Sequence, residues 1–229
     1  VTPLAAAPLG RELLDDPDAD PAAVVISLRH IARANRWFGG WAAVRWGLER
    51  LLENQPSTPL TLLDVGAGSG DLARRAVCWA AARGIHLRPL ALERHPAAAR
   101  MASATGLPAL LACGGCLPVR TAGVDLVLVS QVAHHLAEAA CVTLLRECSR
   151  VARRGMVVAD LARSQLAAAG FWIGSRILRF DPATRADGLT SLRRGFDPPG
   201  LARLMALAGC PAAVVRRPGA RLVAVWRSP

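Results

Sequence analysis

Residues 62–71 read Leu-Leu-Asp-Val-Gly-Ala-Gly-Ser-Gly-Asp, an apolar run that ends in three alternate glycines, Gly66, Gly68 and Gly70. This stretch predicts a buried strand, a sharp backbone turn and a helix opening near Asp71. Glycine here lets a ligand approach peptide groups that a Cβ would shield. The charges then select the ligand. A dinucleotide needs Gly-x-Gly-x-x-Gly and a helix N-terminus free of negative charge, because its pyrophosphate sits on those amides. In this chain the third glycine comes one residue early, Asp71 stands at the dinucleotide position, and Asp64 adds a second carboxylate at the strand end. Two carboxylates repel a pyrophosphate and suit a ligand carrying an ammonium and a sulfonium.

Downstream, apolar strands alternate with helical patterns. A helix from about residue 71 to 82 leads to a strand at Leu87–Glu93, and His95-Pro96 opens the next helix. Further strands are expected at about 109–113, at 124–130, at 155–160, and as a final pair at about 212–216 and 221–226. Such alternation means an α/β chain with a mostly parallel sheet covered on both faces. Glu93 ends the second strand about twenty residues past the glycines, where a carboxylate can grip the two hydroxyls of a ribose.

At this point the sequence resembles the class I methyltransferases that use S-adenosyl-L-methionine (AdoMet), whose first motif reads Asp/Glu-x-Gly-x-Gly-x-Gly. The resemblance implies a Rossmann-like, doubly wound, seven-stranded sheet with an antiparallel C-terminal hairpin, preceded here by N-terminal cap helices. It also implies AdoMet as cofactor and S-adenosyl-L-homocysteine (AdoHcy) as product. The implied cofactor set is Asp64, Gly66, Ala67, Gly68, Gly70, Glu93 and Arg94, with Ser130 and Gln131 at the end of the fourth strand. The loop that usually reads Gly-Asp-Ala-x-x-Leu-Pro keeps Leu117-Pro118 but has Cys113 at the Asp position. The adenine contact is therefore expected from Cys113 and the backbone of Gly114 and Gly115. Three further stretches are similar to a narrower group of bacterial small-molecule methyltransferases, often encoded beside polyketide synthases. These are Arg-x-Asn-Arg-Trp-x-Gly-Gly from Arg33, Asp-Leu-x-Arg-Ser from Asp160, and Asp-Gly-x-x-Ser-x-Arg-Arg-x-Phe from Asp187.

The net charge of +11 invites a nucleic-acid reading, but all 28 basic residues are Arg, scattered along the chain without a stripe of interleaved aromatics. The Asn/Asp-Pro-Pro-aromatic motif of enzymes that methylate amino groups on bases is absent as well. No apolar run reaches the 18 or so residues of a membrane span, and no basic start followed by an apolar stretch marks a secretory signal. A cytoplasmic enzyme is expected. Of the six cysteines only Cys113-x-x-Cys116 has ligand spacing, and a second pair is lacking. No metal is expected, and all six read as small buried residues.

The first 20 residues, with four aspartates, read as a loosely ordered arm of little chemical consequence, and residues 21–229 as one domain. Residues 21–55 carry two cap helices, 59–229 the AdoMet-binding core, and 163–197 an insert that covers the substrate. Trp37, Phe38, Trp41 and Trp46 either wall an apolar pocket or serve as ordinary core. His134 and His135 follow the fourth strand, where a methyl acceptor would lie, and one of them is the candidate general base. Asp160, Arg163, Arg193 and Arg194 are expected at the polar edge of that pocket, with surface charge as the rival reading for the arginines. The acceptor is expected to be a small phenolic, quinone-like or polyketide molecule methylated on oxygen or carbon. An RNA methyltransferase and an AdoMet-binding protein without transfer chemistry stand as alternatives.

Overall fold

In the computed structural model, residues 4–9, 12–53 and 59–229 are described. Asn54, where the second helix was expected to end, and residues 55–58 of the following linker lie outside them.

Asp20 accepts hydrogen bonds from the amides of Ala22 and Ala23, and Pro21 follows at the first helical position, so α1 runs Pro21–Trp37. Gly39 then takes φ +80°, with its Cα facing the carbonyl of Pro218, and the chain turns into α2 (Gly40–Leu52). The core continues as β1 (Leu60–Val65), α3 (Asp71–Ala81), β2 (Leu87–Glu93), α4 (Pro96–Ala104), β3 (Ala109–Leu111) and β4 (Val124–Ser130). It ends with α5 (Glu138–Val151), β5 (Ala152–Leu161), α6 (Gln165–Ile177), α7 (Pro182–Arg194), α8 (Pro198–Leu207), β6 (Val214–Arg217) and β7 (Arg221–Arg227).

The seven strands form one sheet in the order β3-β2-β1-β4-β5-β7-β6, with β7 antiparallel to both neighbours. This is the expected Rossmann-like sheet with its C-terminal hairpin. On one face, Ala43, Val44, Leu48 and Leu51 of α2 and Leu72, Ala76 and Ala80 of α3 pack against Leu62, Leu126, Leu128 and Val157. On the other, Leu144, Leu145 and Cys148 of α5 and Leu201, Leu204 and Met205 of α8 meet Leu63, Val127, Val129 and Met156. The strand order reverses between β1 and β4, so a crevice opens beyond their carboxyl ends.

Several elements differ from expectation. Only α1 lies over this crevice; α2 is laid flat on β5 and β7 as part of the core. β3 stops at Leu111 instead of Cys113. The insert, whose Asp187-Gly188 pair reads locally as a turn, is helical through Arg194. Asp181 caps that helix by accepting from the amide of Thr184, and Gly188 makes room for the tip of the Phe171 ring.

Candidate active site

The crevice is a cavity of about 980 Å³ that reaches from the glycine loop to the inner faces of α6 and α7. At its glycine-loop end, Gly66, Gly68 and Gly70 all have positive φ, and Gly70 hands the chain to α3 in the left-handed conformation. Glu93 Oε1 accepts from the amide of Gly68 at 2.5 Å and Oε2 from the amide of Arg94 at 3.1 Å, which locks the loop to the tip of β2. Asp71 accepts from Ser69 Oγ and from Asn35 Nδ2, both at 3.3 Å, and Asn35 Oδ1 accepts from Gln131 Nε2 at 2.7 Å. A polar chain thus crosses the crevice from α3 through α1 to the end of β4.

Three carboxylates are enclosed here. Burial, then the neighbouring charges of Asp71 and Glu93, push the carboxyl of Asp64 up to about 8. Burial likewise raises Asp71 and Glu93 above the ordinary carboxylate range. Asp64 Oδ2 is buried with no partner among the described residues. A buried carboxylate with one oxygen left unpaired fits a ligand that brings a cation, as the ammonium and sulfonium of AdoMet do.

At the other end, Asp160 is fully buried at the tip of β5. It accepts from the amides of Ala133 (3.0 Å) and Leu161 (2.7 Å) and lies 2.6 Å from His134 Nδ1. With two amide donors already on Asp160, the imidazole donates Nδ1–H and keeps its lone pair on Nε2. That Nε2 is buried and unpartnered among the described residues. Burial opposes ionisation of Asp160, but the His134 interaction and the Leu161 amide bring its carboxyl below the ordinary value. His135 Nδ1 is 2.9 Å from Asp15 Oδ1, and its Nε2 faces Glu12 Oε2 at 3.9 Å.

Residues 63–159 match the family described as the methyltransferase domain. No curated protein matches its sequence significantly. Solved methyltransferases share its fold. An S-adenosylmethionine-dependent methyltransferase from Aquifex aeolicus is 15% identical over 92% of this chain and 99% of its own, with a TM-score of 0.61. A putative one from Methanococcus maripaludis is 12% identical over 97% and 96%, TM-score 0.59. The magnesium protoporphyrin IX methyltransferase of Synechocystis, solved with bound AdoHcy, is 13% identical over 83% and 84%, TM-score 0.57.

Around this crevice the structure gathers Gly66, Ala67, Gly68, Glu93, Arg94, Cys113, Gly114, Gly115, Ser130, Gln131, His134 and His135 as lining residues. Asp64 and Gly70 stand directly behind that lining. Asp64 is buried at the end of β1, and Gly70 has its Cα against the Leu107 side chain.

The acceptor side differs from expectation. Trp37 is 62% exposed under the guanidinium of Arg36, and Trp41 faces a shallow outer groove between α2 and α3. The apolar wall is instead made by Leu28, Ile31, Phe38, Phe171 and Phe180, with Phe171 edge-on to Phe38 and Phe180 stacked on His30. Arg163 donates to the carbonyl of Gly195, and Arg193 to that of Ala5, so neither lines the cavity. Arg194 is buried against the N-terminal arm, and Asp160 supports His134 from behind. Arg216, Arg217 and Arg221 from the terminal hairpin line the cavity in their place. The arm has chemistry after all. Its short 3₁₀ turn, Leu13–Asp15, brings Glu12, Leu14 and Asp15 into the lining, held by Arg94 through the carbonyls of Leu14 and Asp15. Cys78, Cys113 and Cys116 are exposed where burial was expected; Cys141, Cys148 and Cys210 are buried.

Sequence reasoning missed Glu12, Asp15, Asn35, Phe171 and Phe180. For Asn35 a signal existed, because it sits inside the Arg33–Gly40 motif whose tryptophans drew the attention.

Proposed function

We propose that the protein transfers the methyl group of AdoMet to an oxygen or carbon of a small phenolic, quinone-like or polyketide acceptor. The observation that carries this reading is the juxtaposition, in one crevice, of an acid-lined glycine loop with an unpartnered His134 Nε2 backed by buried Asp160. When bound, AdoMet supplies a methyl carbon made electrophilic by its sulfonium. Asp64 and Asp71 would hold its ammonium end, Glu93 its ribose, and the Cys113–Gly115 loop its adenine. The Synechocystis neighbour is named for a small-molecule substrate, which is in keeping with an acceptor of that size here.

The protein's own tasks are alignment and proton removal. The Phe38, Phe171 and Phe180 rings close an apolar chamber over the acceptor, and Arg221 offers a buried Nη1 with no partner among the described residues. In-line positioning supplies up to roughly 7–11 kcal/mol, more than the 10²–10⁴-fold of a general base. His134 takes the acceptor's O–H proton on Nε2, and Asp160 stabilises the imidazolium through Nδ1–H. The acceptor oxygen then bonds to the methyl carbon as the sulfur–carbon pair returns to sulfur.

Incubation with isotope-labelled AdoMet and a panel of phenols and hydroxyquinones tests this, with product detected by mass spectrometry. His134→Ala is expected to lower kcat by about 10²–10⁴-fold while AdoHcy affinity stays within about threefold, because base loss acts on the transition state. Absence of AdoHcy binding by the wild-type chain overturns the reading.

A further inference from the structure

We propose that Nε2 of His134, Nε2 of His135 and a carboxylate oxygen of Glu12 form a site for one divalent first-row transition cation, open toward the acceptor cavity. One donor atom from each of the three residues lies within 4.8 Å of the other two, and each residue lines the same cavity. The site departs from the metal-free centre expected from the sequence. Glu12 comes from the arm and meets the histidines only through the fold.

Both imidazoles are set as metal-ligating imidazoles are set. A ligating His typically passes its other ring N–H to a carboxylate, which fixes the tautomer and points the free lone pair at the metal. Here His134 is paired through Nδ1 with Asp160 at 2.6 Å, and His135 through Nδ1 with Asp15 at 2.9 Å. Both Nε2 atoms are thereby left outside these pairs, and that of His135 faces Glu12 Oε2 at 3.9 Å. The carboxylate is held as well: Oε2 accepts from Ser191 Oγ at 2.7 Å and Oε1 from Arg194 Nη1 at 2.9 Å. His134 is only 3% exposed and its Nε2 has no partner among the described residues, an arrangement that a cation would complete.

Charge and donor type agree. The carboxylates of Glu12, Asp15, Asp160 and Asp187 surround the histidines, against the guanidinium groups of Arg194, Arg221 and the exposed Arg94. Two imidazoles with one carboxylate and open positions suit Zn²⁺, Fe²⁺, Co²⁺ or Mn²⁺, whereas Ca²⁺ prefers all-oxygen cages and soft ions prefer thiolates. Bonds of about 2.0–2.2 Å bring such donors to roughly 3–3.5 Å apart, so the 3.9 Å between His135 Nε2 and Glu12 Oε2 needs only a small closure. The cation's use, holding the acceptor's oxygen beside the methyl group, rests on the methyl-transfer reading; the site itself does not. With the cation bound, the Nε2 pair of His134 is a ligand. Glu12→Gln separates the two situations, since a base at His134 needs no Glu12.

Full-length protein stripped with a chelator is titrated with Co²⁺, read by visible absorption, and with Zn²⁺, read by competition and calorimetry. One ion per chain is expected, with affinity lowered at least about 10–100-fold in Glu12→Gln, in His135→Ala and in the volume-conserving Asp15→Asn. His86→Ala, at an exposed histidine outside the crevice, is expected to leave it unchanged. No stoichiometric uptake by the wild-type chain, or equal affinity in all four variants, overturns the site. AdoHcy calorimetry on the same stripped samples reports folding of each variant. Retained AdoHcy binding without metal uptake sinks the cation site alone, and metal uptake without AdoHcy binding sinks the methyl-transfer reading alone.

Discussion

Asp64 is enclosed between Asp71 and Glu93, and its folded-state acidity sets a definite pH behaviour. A carboxyl raised from about 3.9 in the unfolded chain contributes stability that is present below that value and lost as pH rises through the folded value of about 8. The ligand-free protein is therefore expected to lose stability from about pH 4 toward pH 8, and Asp64→Asn to flatten that slope in denaturant titrations. AdoMet affinity has the opposite sign. An ammonium binds the ionised carboxylate and displaces its proton, so affinity rises with pH until Asp64 is ionised in the free protein. Calorimetry in buffers of different ionisation enthalpy measures the released proton. Asp64→Asn should cost about 1.5–3 kcal/mol of AdoMet binding, or roughly 10–100-fold, and abolish the proton release. Unaltered affinity in that variant would remove Asp64 from the ligand.

Among the elements, α7 and the N-terminal arm act as one unit. Arg194, with its side chain 1% exposed, bonds Glu12 and Asp15 at 2.9 Å each and the carbonyl of Pro8 at 2.9 Å. Removing one partner of such a buried pair typically costs about 3–5 kcal/mol, because it strands the other charge. In Arg194→Met the arm should detach before the core unfolds. Limited proteolysis should then cut between residues 12 and 20 faster, the acceptor's KM should rise roughly tenfold, and AdoHcy affinity should hold. This unit was the least legible part of the chain. Strands with continuous apolar runs and the glycine loop announce themselves within ten residues, so the sheet and the turn at its carboxyl end could be read directly. The far end of the crevice is assembled from Glu12, His134, Phe171 and Phe180, which no local period links. The tryptophans misled because indole content fits core and pocket equally, and Asp187-Gly188 misled because a turn signal was weighed without the cap at Asp181.

At the scale of the molecule, the net charge of +11 is dispersed. Arginines 33, 36, 50, 83, 176 and 217 lie over aromatic rings, and others pair with acids on neighbouring turns. Nucleic-acid binding is accordingly expected to be weak, indifferent to sequence and steeply reduced by salt in filter or anisotropy titrations. Tight, selective RNA binding at physiological salt would promote the RNA-methylating alternative. Among the described residues, no helix is long and apolar enough to cross a membrane.

The strand order has a consequence for biogenesis. β7, the last strand in sequence, inserts between β5 and β6 and pairs with β5 from Gly155 to Leu161, the stretch that carries Asp160. During translation β5 and β6 are made before β7, so β5 waits as an open apolar edge until residues 221–227 emerge. Such an edge is a template for pairing with another chain. A chain cut short of Arg221 is thus expected to leave this edge uncovered and to aggregate, which light scattering would measure.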